Sequence, residues 1–190
     1  MIDIEEFVQP PQVAAPDGLL AERQPDPPGR FAQQCPLDAG RGGGCQQGVP
    51  AVVMTSSAMP QVADTFRSDK AIAELEAGKI VVFGGGTGNP IFSTDTASAL
   101  RALEIGADAM FKATMVDGVY DKDPHKYPDA VKYDTLTFTR VLDERLAVMD
   151  STAATLCRDN GLPIVVFDLN EPANIARALQ GENVGTIVRE

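Results

Sequence analysis

The sequence predicts an α/β fold, with a mostly parallel sheet and helices on both of its faces. Three observations point there. From about residue 49 to the end, short β-branched apolar runs alternate with runs of helix length. Gly78, Gly106 and Gly161 each stand where a helical run stops. At the centre, Lys79-Ile80-Val81-Val82-Phe83 leads into Gly84-Gly85-Gly86-Thr87-Gly88-Asn89-Pro90 and then into the helical run 94–105, so strand, glycine-rich loop and helix follow one another.

The elements follow in order. Residues 49–55 read as a strand with Pro50 near its start. Residues 56–61 turn, and 62–76 read as a helical region with Ala71, Ile72 and Leu75 on one face. The strand after Lys79 is apolar throughout and reads as buried. Thr94 or Asp95 is the natural N-cap of the next helix. Residues 109–114 form a strand, 121–129 a polar excursion, and 132–134 a short edge strand. Thr139 is expected to cap a short helix reaching Leu146, and Asp150 or Ser151 to cap another reaching Asp159. Residues 162–167 are a buried strand, Pro172 suits the first position of a helix over 173–179, and 185–188 are the last strand.

Residues 1–45 stand apart. They hold Pro10, Pro11, Pro16, Pro25, Pro27, Pro28 and Pro36, a Gly40-Arg41-Gly42-Gly43-Gly44 stretch, and no sustained apolar period. Such a segment buries too little to offset its ordering entropy and is expected to be irregular or disordered. The organisation expected is therefore residues 1–45 as a separate segment and 46–190 as the folded, nucleotide-binding part.

The chain has 190 residues, a net charge of −11 and 44% hydrophobic residues, enough for a core. The acidic balance argues against unspecific binding to nucleic acid or anionic lipid. No apolar run approaches the roughly eighteen residues of a membrane span, and the start Met1-Ile2-Asp3-Ile4-Glu5-Glu6 is acidic where a signal peptide is basic. The cytoplasm is the expected location. Cys35, Cys45 and Cys157 are odd in number and lack metal-ligand spacing, and the lone His125 sits in a polar loop. Disulfide scaffolds, histidine metal centres and Ser-His-Asp chemistry are poor fits, and no metal-ligating residue is assigned.

In an open parallel sheet, ligands bind beyond the C-terminal strand ends. Three loops leave that edge, at 84–94, 114–123 and 168–172, and they are expected to converge. The first presents backbone N–H groups and a positive helix end, which suits a phosphate; composition equally allows an ordinary turn that uses glycine for its dihedrals. In the second, Lys112 at a strand end can hold polyphosphate charge and Tyr120 can stack on a base; a surface hairpin with a solvated lysine fits the same residues.

Taken together, Gly86-Thr87-Gly88-Asn89-Pro90 with Thr94-Asp95, Lys112-Ala113-Thr114 with Val116-Asp117-Gly118-Val119-Tyr120 and Asp123-Pro124, and Val148-Met149-Asp150 resemble the bacterial uridylate (UMP) kinases of the amino-acid kinase superfamily. Met59-Pro60-Gln61-Val62-Ala63 and Leu162-Pro163-Ile164-Val165-Val166-Phe167 extend the likeness, which runs from about residue 48 to Glu190. The resemblance implies a three-layer α/β/α amino-acid kinase fold, truncated at its N-terminus, and transfer of a phosphoryl group from ATP, with Mg²⁺, to UMP. It implies that Thr87, Gly88, Asn89, Pro90, Ile91, Phe92, Ser93 and Thr94 hold UMP, and that Thr114, Tyr120 and Asp123 contact ATP. Lys112 would neutralise charge near the transferred group, with Asp95 and Asp150 orienting the basic groups and phosphates; Asp150 also reads as a plain helix N-cap. Family members are usually hexamers regulated by GTP and UTP. The fold is not a P-loop fold, and no GxxxxGK[ST] occurs.

The likeness has a gap. Uridylate kinases begin with a lysine-bearing loop and a glycine loop, whereas the first lysine in this chain is Lys70. With one permitted choice of codons among many, residues 32–44 read one base along give a string that resembles the family helix before the strand at Val49, a hypothesis that the gene's DNA sequence tests. Without that clamp the expectation is little or no turnover, a nucleotide-binding remnant or subunit being the alternative. Another amino-acid kinase, such as an acetylglutamate kinase, is the third reading.

Overall fold

The computed structural model describes residues 50–190. The expectations for residues 1–45 lie outside that range. The described residues fall into two compact units, divided between Gly85 and Gly86.

The unit ending at Gly85 is a three-stranded parallel sheet of order β2-β1-β3, made of β1 (Ala51–Thr55), β2 (Asp64–Thr65) and β3 (Ile80–Gly84). Val52 sits opposite Val81 and Met54 opposite Phe83. Helix α1 (Ser68–Glu76) packs on β3 and stops at Gly78, whose φ of 76° few other residues accept. The helix expected from Val62 therefore begins six residues later. The Phe66 amide donates to the Thr55 carbonyl at 2.9 Å, and its ring meets Phe83 edge-on at 5.5 Å, so this stretch extends the sheet edge instead of winding. Strand β3 is also less buried than its composition suggests: Ile80 is 53% and Val82 49% exposed. An apolar run marks a strand but does not guarantee a layer on both of its faces.

The unit from Gly86 onward contains α2 (Thr94–Glu104), β4 (Met110–Thr114), β5 (Val119–Tyr120), β6 (Lys132–Tyr133), β7 (Thr135–Leu136), α3 (Phe138–Asp143), α4 (Ser151–Asp159), β8 (Ile164–Asp168), α5 (Ala173–Leu179) and β9 (Gly185–Val188). Its sheet has the order β4-β8-β9-β7, parallel except between β8 and β9; β5 and β6 form a small antiparallel hairpin. With the first sheet, most pairings are parallel, as the alternation of elements implied.

The core lies between this sheet and its helices. Phe138, Phe167, Ile164 and Val188 are fully buried, and α2 packs on α4 through small residues, Ala99 and Ala102 from one and Ala153, Ala154 and Cys157 from the other. Small side chains on both faces let the helix axes approach closely. Burial pushes the Cys157 thiol up to about 11, which fits the small core residue the sequence suggested. Asp150 caps α4 as expected, but two other caps differ. Ser93, extended at φ −77° and ψ 170°, caps α2 in place of Thr94 or Asp95, which are already helical. Thr137 caps α3 in place of Thr139, and α3 ends at Asp143, short of Leu146, because Arg145 turns to φ 52°. Pro172 immediately precedes the first turn of α5, one place before the position expected. Among the described residues no helix is long and apolar enough to cross a membrane.

Candidate active site

The glycine-rich loop enters this unit through Gly86 and Gly88, both at positive φ, 60° and 78°. Thr87 and Asn89 brace it: the Asn89 amide donates to Thr87 Oγ1 at 3.1 Å, and Thr87 Oγ1 donates to the Asn89 carbonyl at 3.2 Å. Pro90 follows, then Ile91 at φ 79°, fully exposed, and Phe92, more than half exposed. A β-branched residue at positive φ is a rare and strained conformation. It presents two consecutive apolar side chains to solvent just before the positive end of α2.

Two acidic residues order the end of this loop. Asp95, in the first turn of α2, pairs with Lys112 of β4, the ammonium nitrogen lying 2.6 Å from Oδ2, with both side chains partly buried. Asp150 joins two helix ends. Its carboxylate accepts from the Thr152 and Ala153 amides of α4, each at 3.0 Å. It also accepts from the Ser93 hydroxyl and, at 3.1 Å, from Thr96 Oγ1. Burial pushes this carboxyl up, but the donors from Ser93, Ala153, Thr96 and Thr152 outweigh it and hold it below the usual carboxylate range. A carboxylate offers about four acceptor positions. Those of Asp150 meet protein donors from α2 and α4, so it ties the end of the loop to α4.

Of the predicted residues, Ser93, Asp95, Lys112 and Asp150 come together at the N-terminal ends of α2 and α4. Thr114 lies at the end of β4, level with Asp168 of β8. Thr114 Oγ1 donates to the Val116 carbonyl at 2.7 Å, and the Leu169 amide donates to the Thr114 carbonyl at 2.8 Å, so the loops at 114–123 and 168–172 do converge. Tyr120 and Asp123 lie on the excursion through β5. The Tyr120 hydroxyl donates to Asp117 at 2.6 Å, and that bond holds Asp117 below the usual carboxylate range, with Lys132 at 3.1 Å adding to it. Asp123 accepts from the His125 amide and pairs with Lys126 at 3.0 Å. Among the described residues, no hydrogen bond or ion pair joins Tyr120 or Asp123 to Lys112 or Asp95. Sequence reasoning missed Thr96, buried against Asp150. The signal was there: a hydroxyl three residues past Ser93, on the buried stripe that continues through Ala97, Ala99 and Ala102.

The family model described as the amino acid kinase family matches residues 41–168. Three solved structures are similar. A UMP kinase from Bacillus anthracis is 38% identical, with a TM-score of 0.74 over 76% of this chain and 59% of that one. A UMP kinase from Ureaplasma parvum is 33% identical, with a TM-score of 0.71 over 75% and 61%. A uridylate kinase from Archaeoglobus fulgidus is 36% identical, with a TM-score of 0.54 over 64% and 58%. The chain thus spans about three fifths of the length of these structures.

Proposed function

The chain belongs to the amino acid kinase family, and from that premise we propose that its site takes UMP and Mg-ATP and is of the UMP-kinase type. The observation that carries this is the Lys112–Asp95 pair held at the start of α2, immediately after the glycine loop. The names of similar structures, at 33–38% identity, support the choice of UMP.

In this reading the loop amides and the positive end of α2 receive the UMP phosphate. One UMP phosphate oxygen bonds to the terminal phosphorus of ATP. The bond from that phosphorus to its bridging oxygen breaks, ADP leaves with the electron pair, and UDP forms. Such transfers depend mainly on positioning and charge stabilisation. Lys112 supplies positive charge at the transferred group, Asp95 fixes the ammonium, and Asp150 sets the loop against α4. Tyr120 and Asp123 serve the ATP side, with Thr114 at the strand end. Magnesium would come with the ATP phosphates, where it neutralises their charge.

We expect the 190-residue chain to bind nucleotide, and turnover of UMP with Mg-ATP, set against the usual kinase range of about 1–100 per second, tests whether it also completes the transfer. A pair only partly buried contributes about 1 kcal/mol to folding. Lys112→Met should accordingly leave the melting midpoint nearly unchanged and weaken Mg-ATP binding about tenfold, as loss of one charge-assisted bond does. Calorimetric titration checks this, and unchanged Mg-ATP affinity would rule Lys112 out as the residue that meets the transferred group.

A further inference from the structure

Thr186 lies on β9, four residues from the last residue of the sequence, and is completely buried. A buried hydroxyl needs partners, and this one has two on a different element. Its Oγ1 accepts from the Val119 amide at 2.8 Å and donates to the Tyr133 carbonyl. Val119 and Tyr133 are directly opposite one another in the β5–β6 hairpin. One side chain therefore grips both strands of the hairpin at the same rung. The fit is close from the hairpin side too, because a Cβ on Gly118 would lie 2.6 Å from Thr186 Oγ1.

Through its backbone, Thr186 belongs to the main sheet. It is opposite Val166 of β8, the strand that ends at Asp168 level with Thr114. The hairpin carries Tyr120 next to Val119, and Asp117 and Lys132 brace it internally. Those braces hold the hairpin together without attaching it to the sheet.

We propose that Thr186 is a positioning residue that seats the β5–β6 hairpin on the sheet edge and thereby sets the affinity for Mg-ATP. The assignment rests on the reading of Tyr120 and Asp123 as the ATP side of the site. Thr186 touches no nucleotide; it acts through Val119 and Tyr133. The UMP loop at 87–94 makes no hydrogen bond to it.

The test compares the full chain with Thr186→Val, which keeps the shape and removes the hydroxyl, and Thr186→Ser, which keeps it. Calorimetry measures Mg-ATP and UMP separately, and hydrogen exchange follows residues 117–133 against β8. Thr186→Val should weaken Mg-ATP about tenfold, the effect of leaving buried partners unsatisfied, while UMP stays within about twofold. Exchange should speed up in 117–133 and not in β8. Thr186→Ser should return both readouts to near wild type. Wild-type affinity for Mg-ATP in Thr186→Val, or equal loss of both nucleotides, would overturn the proposal. If Thr186→Val does not fold, Gly118→Ala strains the same contact from the hairpin, and retention of full Mg-ATP affinity there would overturn it. A wild-type chain that binds no Mg-ATP sinks the proposed function itself, and unchanged exchange in 117–133 sinks the clasp.

Discussion

Asp150→Ala is expected to lower the unfolding free energy by about 3 kcal/mol and to abolish measurable UMP binding. The substitution removes an N-cap, worth about 1 kcal/mol. It also strands the Thr96 hydroxyl, which is only 4% exposed, at a cost of about 1–3 kcal/mol. Ser93 can turn to water and loses less. Because Ser93 both caps α2 and ends the 87–94 loop, its release frees the loop end from α4. Asp150→Asn keeps a good cap and should cost about 1 kcal/mol. The pH dependence separates the two effects. The folded carboxyl titrates below its ordinary value of 3.8, so its contribution is complete above that value and is lost as pH falls through the folded one. Urea unfolding of the wild type should weaken in that acid range by more than Asp150→Asn does. An Asp150→Ala chain within 1 kcal/mol of wild type at neutral pH would refute the bridging role.

Gly185→Ala is expected to cost about 3 kcal/mol or more, or to abolish cooperative folding. A Cβ at this position would lie 1.9 Å from the Val166 carbonyl oxygen and 3.0 Å from the Phe167 Cα. Both are backbone atoms of the central strand β8, so no side chain can swing aside. Relief must come from parting β8 and β9, which would shift Thr186 as well. Gly84→Ala is the control: the nearest atom to its Cβ is the Thr55 methyl at 3.5 Å, ordinary contact, and its effect should stay below about 1 kcal/mol. Urea midpoints compare the two. Equal stability of Gly185→Ala and wild type would contradict the register of β8 with β9.

The parts of the fold that announce themselves locally were legible in the residues. Strands β1, β8 and β9 are rich in β-branched residues and are bounded by turn residues, and Asp150 before a helical run is a cap by chemistry alone. What escaped was decided at a distance. Phe66 follows the ring of Phe83 and the Thr55 carbonyl, so 64–66 extend instead of winding. Ser93 takes the cap because Asp150 holds its hydroxyl from another helix. The Lys112–Asp95 pair spans seventeen residues, and no local pattern predicts its geometry, although a lysine at a strand end and an acid in a first helical turn were each visible. Thr186 gave no local signal, since its partners are 67 and 53 residues away.

The central claim is that this chain folds into the nucleotide-holding part of a UMP-kinase-type domain. A thermal melt of the purified chain by circular dichroism, alone, with UMP and with Mg-ATP, tests it most directly. A ligand that binds only the folded state adds about 2.7 kcal/mol at a hundredfold excess over its dissociation constant. The expected result is a cooperative melt whose midpoint rises with each nucleotide and rises further with both. A broad transition that neither nucleotide moves would contradict the claim.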